Sequence, residues 1–262
     1  MTAPVRADVV ERLRAAGCVF AEEEAALLVA AARTPAELAS MIGQRVSGRP
    51  LELVLGWAEL CGVRVTVADG VFVPRRRSEL LVNAAATMAT ELPVRPVVLD
   101  MCCGSGAVGV AVAALAGDVE LHAAELHPAA AVCARRNVEP LGGTVHEGDL
   151  YDALPASLLG RVDVLVANAP YVPTADIAFL PSEARDFEPR VALDGGVDGV
   201  DVQRRVAAGA PEWLSPYGHL LIETSERQAR LTAEAIEAAG LVPRTVTDED
   251  LGATVVVGAP RL

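Results

Sequence analysis

The sequence contains no lysine; all 22 of its basic residues are arginine. That absence excludes a phosphate loop with its lysine, Schiff-base chemistry and a Ser-Lys nucleophile. Aromatic residues are only 3% of the chain, so the core has to be built mostly from Ala, Val and Leu. The cysteines Cys18, Cys61, Cys102, Cys103 and Cys133 are odd in number and form no C-x-x-C pair. Neither a disulfide framework nor a zinc site is indicated, and no metal is expected. The four histidines are scattered, without an H-E-x-x-H. No apolar run approaches the ~20 residues of a membrane span, and the charged, amphipathic N-terminus has no signal-peptide core. A soluble, cytoplasmic protein with no membrane partner is expected. The 22 basic residues face 35 acidic ones, for a net charge of -13. Such a chain gains nothing from phosphate neutralisation, so no direct nucleic-acid partner is expected.

What is present is 262 residues, 52% of them hydrophobic, enough for a small unit joined to a standard α/β domain. The first ~70 residues read as helical, with apolar spacing over 5–16 and 22–32. Thr34-Pro35-Ala36-Glu37 is a helix start: Thr34 caps, Pro35 suits the first turn and Glu37 reaches back. The alternating Val63–Val67, the Asp69-Gly70 turn and Val71–Val73 predict a β-hairpin. Ser78 is placed to cap a helix running to about Leu92. From Val97 the rhythm becomes strand, glycine turn, helix, strand. Strands are predicted over PVVLD, VELHAAE, GTVHEGD, RVDVLVA and GHLLIET, with helices between them. The segment LVPRTVTDEDLGATVVVGAP, residues 241–260, reads as two strands joined by a short acidic turn. Strands so closely connected cannot be parallel neighbours, so the sheet is expected to be parallel with an antiparallel C-terminal hairpin. The stretch Pro170–Gly199 is too long for an idle connection.

Three places carry chemistry. Asp100-Met101-Cys102-Cys103-Gly104-Ser105-Gly106 follows a strand and opens a helix, where free N–H groups and close backbone approach suit a ligand. Glu125 ends the next strand, where a carboxylate can accept from a ribose diol. Gly104-x-Gly106-x-x-Gly109 also fits a dinucleotide fingerprint, so an NAD-dependent oxidoreductase stays open here. Asp149, ending the third strand, could accept from an adenine amino group with Leu150 packed on the ring. Asn168-Ala169-Pro170-Tyr171 follows the fourth strand. The Asn side-chain carbonyl and a neighbouring main-chain carbonyl can accept both protons of a planar NH2 group, Pro170 stiffens the turn and Tyr171 offers a flat face. Held so, an amide nitrogen can attack an electrophile.

Together these segments resemble the HemK/PrmC family of S-adenosylmethionine-dependent protein-(glutamine-N5) methyltransferases, from about Arg45 to the C-terminus. GRPLELVLG and Pro74-Arg75 through Ser78-Glu79 resemble the family's interdomain segment, DMCCGSGAVGVAVA its cofactor loop, and NAPY its Asn-Pro-Pro-Tyr. FEPRVALDGGVDGVDVQRRVAAGAPEWLSPYGHLLIE separates it from adenine-N6 methyltransferases, which share Asn-Pro-Pro-Tyr. The resemblance implies a Rossmann-like class I methyltransferase sheet over 78–262, a linking β-hairpin over 63–77 and a helical substrate-recognition unit over 1–62. It implies transfer of a methyl group from S-adenosylmethionine, leaving S-adenosylhomocysteine, to the glutamine of the Gly-Gly-Gln motif of a peptide-chain release factor. It also implies that Asp100, Cys102, Cys103, Gly104, Ser105, Gly106, Glu125, Asp149, Leu150 and Asn168 hold the cofactor. Asn168, Ala169, Pro170 and Tyr171 would grip the glutamine, with Asn168, Pro170 and Tyr171 catalytic. Cys102 stands where the family has a glycine, Ala169 where it has a proline and Ser78 where it has a threonine. An adenine-N6 nucleic-acid methyltransferase and a non-catalytic S-adenosylmethionine-binding homologue are the alternatives.

Overall fold

A computed structural model describes residues 3–261. Four helices come first: α1 (Ala3–Ala15), α2 (Ala21–Ala31), α3 (Pro35–Val46) and the short α4 (Leu51–Leu55). The start of α3 follows from its sequence. Thr34 is extended and its hydroxyl accepts from Glu37 N at 3.1 Å, while the Glu37 carboxylate accepts from Arg33 N at 2.9 Å. The helices bury Val9, Leu13, Ala21, Ala25, Leu28, Leu38, Met41 and Ile42 against one another as a core of their own.

The hairpin lies earlier than the sequence predicts. Its strands are β1 (Trp57–Leu60) and β2 (Val63–Thr66), paired antiparallel with Leu60 opposite Val63. Between them Cys61 and Gly62 both have positive φ, 50° and 75°. Two left-handed central residues make the two-residue turn whose twist matches paired strands. Cys61-Gly62 supplies it without the usual Asn or Asp. Asp69-Gly70 does turn the chain, but Val71–Val73 joins no ladder; Val73 N donates instead to Glu188 Oε1 at 3.2 Å. The helix after it, α5 (Glu79–Thr90), has no side-chain cap from Ser78, whose hydroxyl is engaged elsewhere.

The remaining elements are β3 (Val97–Met101), α6 (Ala107–Ala116), β4 (Glu120–Glu125), α7 (Pro128–Val138), β5 (Thr144–Glu147), β6 (Val162–Ala167), α8 (Ser182–Phe187), α9 (Asp201–Trp213), β7 (Leu214–Thr224), α10 (Ala229–Ala238), β8 (Val242–Asp248) and β9 (Ala253–Ala259). They form a seven-stranded sheet in the order β5-β4-β3-β6-β7-β9-β8. The first five are parallel; β9 runs antiparallel to both β7 and β8, as the short Glu249–Gly252 connection requires. Strand β3 is buried at every residue, which suits a central parallel strand covered on both faces. One core, including Leu81, Val82, Val112 and Leu121, lies on one face, and a second, including Leu99, Leu165, Trp213 and Ile222, lies on the other.

Register and strand order place the site. The order reverses direction between β3 and β6, and clefts form at such switch points beyond the carboxyl ends of the strands. Met101 pairs with Ala167, so Cys102 and Asn168 leave the sheet side by side.

Candidate active site

Beyond those strand ends lies a cavity of about 760 Å³. Asp100, Cys102, Cys103, Gly104, Ser105, Glu125, Asp149, Leu150, Asn168, Ala169, Pro170 and Tyr171 all line it. Gly106 does not. It adopts φ 78° ahead of α6, and a Cβ there would meet Val138 Cγ2 at 2.8 Å. Its lack of a side chain serves the approach of α6 to α7.

The glycine turn is held from both sides. Gly104 N donates to Glu125 Oε2 at 2.8 Å, and His127 N donates to Glu125 Oε1 at 2.8 Å. From α7, Asn137 Nδ2 donates to Ser105 O and to Thr66 O at 2.8 and 2.9 Å, tying the turn to the hairpin. Asp100, 1% exposed, accepts from Gly109 N at 2.8 Å and so pins the start of α6 to β3. Burial pushes the Asp100 carboxyl up to about 7 and also raises Glu125. Cys102 sits at φ 57°, the conformation a glycine would adopt freely. Burial pushes both Cys102 and Cys103 thiols well up, so neither is a thiolate nucleophile at neutral pH. Leu150, also at positive φ (49°), is buried against the cavity. Asp149 is less free than its position suggests, because Arg205 Nη2 donates to its Oδ2 at 2.8 Å.

At the neighbouring tip, Asn168 Nδ2 donates to Ser78 Oγ at 3.2 Å, which leaves the side-chain carbonyl for a ligand. The Tyr171 hydroxyl donates to Glu223 Oε1 at 3.4 Å, and the Arg77 guanidinium lies over the Tyr171 ring, 5.4 Å from its centroid. Gln228 Nε2 donates to Tyr171 O at 2.8 Å and to Asp198 O at 2.9 Å, fixing the turn against the long connection after it. That connection is the remaining wall: Leu180, Pro181, Glu183, Ala184 and 188–194 line the cavity. It is tied down by Glu188, whose Oε1 accepts from Arg75 Nη2 at 2.5 Å, and by Glu183, which pairs with Arg45 of α3 at 2.6 Å.

Spacing in the sequence does not point to several further residues that line the cavity, among them Arg75, Arg77, Ser78, His127, Glu188 and Arg205, nor to Glu223, which lies behind the Tyr171 hydroxyl. Glu223 had a signal, since it is an acid at the carboxyl end of a parallel strand. Arg205 and Glu188 had none that spacing reveals.

The family model described as Methyltransferase small domain matches residues 63–179. A protein of Geobacter sulfurreducens called release factor glutamine methyltransferase is 36% identical over 229 residues, covering 86% of this chain and 78% of its own. One of the same name from Streptomyces coelicolor is 33% identical, covering 80% of this chain and 71% of its own. Among solved structures, the T. Thermophilus 16S rRNA methyltransferase in complex with AdoMet and guanosine superposes with TM-score 0.56 at 20% identity, covering 78% of this chain and 50% of its own. A methyltransferase of Pyrococcus furiosus superposes with TM-score 0.51 at 14% identity, covering 69% and 83%. These two likenesses are of fold.

Proposed function

This chain belongs to the release factor glutamine methyltransferases, and from that premise we propose that it moves a methyl group from S-adenosylmethionine to the side-chain nitrogen, N5, of the glutamine in the Gly-Gly-Gln motif of a peptide-chain release factor. One observation carries the reading: the glycine turn after β3 and the Asn-Ala-Pro-Tyr turn after β6 open side by side into one cavity.

The residues at the glycine turn fit S-adenosylmethionine. Each Glu125 oxygen takes one backbone N–H and keeps a lone pair for a ribose hydroxyl. Ser105 and His127 line the cavity, and their Oγ and Nδ1 atoms are buried without a protein partner. Leu150 provides an apolar surface for a base. Asp100 acts mainly by holding the turn, through Gly109. When bound, S-adenosylmethionine supplies an electrophilic methyl group on a sulfonium.

The chain's own contribution is positional. Asn168 Oδ1 and the Ala169 carbonyl accept the two N–H groups of the substrate carboxamide. That arrangement concentrates negative charge on a nitrogen whose lone pair is otherwise delocalised. The Tyr171 ring and Pro170 hold the carboxamide plane, and the wall from Leu180 to Asp194 shields it from water. Incubating a release factor with this protein and S-adenosylmethionine, followed by mass spectrometry of the peptide carrying Gly-Gly-Gln, tests the reading. One added methyl on the glutamine is expected; an unmodified glutamine would refute it.

A further inference from the structure

The side of the cavity built by α9 carries a cation that methyl transfer, as just described, does not use. Arg205 lines the cavity, and its Nη2 donates to Asp149 Oδ2 at 2.8 Å. Val202, one turn earlier on α9, lines the cavity as well. The pair is open to water, with side chains 56% exposed at Arg205 and 43% at Asp149. An ion pair so exposed contributes little to folding, so stability does not account for its place in the cleft.

The backbone beneath the pair is locked. Leu150, directly after Asp149, holds φ 49° and turns the chain there. The Tyr151 hydroxyl donates to Val206 O at 2.6 Å, and the Tyr151 ring stacks on Trp213 with centroids 5.8 Å apart. A Cβ at Gly209 would collide with the Tyr151 ring, so α9 and the segment after β5 meet as closely as they can. Asp149 and Arg205 therefore face each other from two elements docked as one piece.

A carboxylate accepts hydrogen bonds and has none to give. Arg205 occupies Oδ2, and Oδ1 has no partner among the described residues. A base lying on Leu150 thus meets one free acceptor, aimed by the bond its sibling oxygen makes. An exocyclic amino group, as in adenine, satisfies that acceptor. An oxo group at the same carbon sets acceptor against acceptor. Without the guanidinium the carboxylate can rotate, and the aim is lost.

We propose that Arg205 is a positioning residue for the cofactor's base: it holds one oxygen of Asp149 so that the other reads the exocyclic amine. The inference rests on the reading of the glycine-turn side of the cleft as an S-adenosylmethionine site, and its test needs no turnover.

Calorimetry compares S-adenosylhomocysteine with S-inosylhomocysteine, which differs by an oxo group in place of the amine. The wild-type protein should bind the first at least ~10-fold more tightly, the scale of one hydrogen bond to a charged acceptor. Arg205→Met should weaken S-adenosylhomocysteine by about 3–10-fold and S-inosylhomocysteine by no more than about twofold, so the preference shrinks. Arg205→Lys should recover part of it. In an Asp149→Asn background, Arg205→Met should change the preference little further, because the two residues act as a unit. Three results would each overturn the proposal. The wild-type protein may bind both compounds alike, so that the amine is not read. Arg205→Met may weaken both equally, so that Arg205 supports the site without aiming anything. Or Arg205→Met may tighten S-adenosylhomocysteine, so that Arg205 competes with the base for Asp149. If Arg205→Met does not fold, Arg205→Gln decides by the same comparison. A protein that shows these preferences yet leaves a release factor unmethylated loses the proposed reaction and keeps this role for Arg205; one that binds neither compound loses both.

Discussion

In the proposed reaction a single carbonyl, that of Asn168, does most of the chemistry the protein itself supplies. Asn168→Ala removes it and leaves the glycine turn untouched. We expect kcat to fall by about 10²–10³, the usual cost of deleting one preorganised group at a reacting centre. Affinity for S-adenosylhomocysteine, read by calorimetry, should be nearly intact; a large loss would show that Asn168 supports the cofactor instead. Asp100 makes a different prediction. Its ordinary pKa is 3.8 and burial raises the folded value to about 7. Between those values the folded state therefore holds more protons than the unfolded one, and stability from this group is lost as pH rises through the window. Asp100→Asn keeps an acceptor for Gly109 N and cannot ionise. In urea titrations from pH 4 to 8, the wild-type protein should lose more stability with rising pH than Asp100→Asn does. Equal slopes would mean that Asp100 does not titrate in that range.

Between α6 and α7 the fit depends on Gly106. A methyl group there faces Val138 Cγ2 at 2.8 Å and must also adopt φ 78°. Gly106→Ala should therefore cost about 2–4 kcal/mol, from left-handed strain and overpacking together, with an unchanged denaturant m-value. Gly104→Ala meets nothing within 4 Å and bears only the strain of φ 58°, so its stability loss should be the smaller of the two. The sequence alone grouped the two glycines as one loop, because spacing does not say which way a Cβ would point. Much else at this scale was legible. The strands from β3 to β9 and the helices between them, α8 excepted, follow the alternation of apolar runs, and the Glu249–Gly252 connection is too short for anything but an antiparallel pair. The hairpin was misplaced because its turn is Cys61-Gly62, and a cysteine at φ 50° leaves no signature in sequence. Ser78 looked like a helix cap because a serine before an apolar helix usually is one; here tertiary contact with Asn168 takes the hydroxyl. Glu223 and Asn168 lie 55 positions apart in the chain, and only the β6–β7 register reveals them as neighbours.

Across the whole molecule, one arginine connects the N-terminal helices to the wall of the cavity. Arg45 is 8% exposed and bonds in two directions, to Glu24 of α2 through Nε at 2.6 Å and to Glu183 through Nη1 at 2.6 Å. Its Nη1 also donates to Arg49 O at 3.2 Å. Glu24 is itself buried, so removing the guanidinium strands a carboxylate out of water. That is the costly way to break a buried pair, and Arg45→Met should destabilise the protein by about 3–5 kcal/mol. Glu183, with its side chain 43% exposed, is the cheap way, since water can solvate what the mutation leaves. Glu183→Gln should cost under ~1 kcal/mol in global stability. The two variants are therefore expected to differ greatly in urea midpoint and to agree in a local property. In both, the segment from Thr174 to Asp194 loses its tie to α3 and should exchange its amide hydrogens faster, as read by mass spectrometry. The tie from Glu188 to Arg75 remains in both, so the segment should loosen first around α8 and last near Glu188. If Glu183→Gln leaves exchange over α8 unchanged, the helical unit and the cavity wall are merely adjacent, and the coupling attributed to Arg45 is absent.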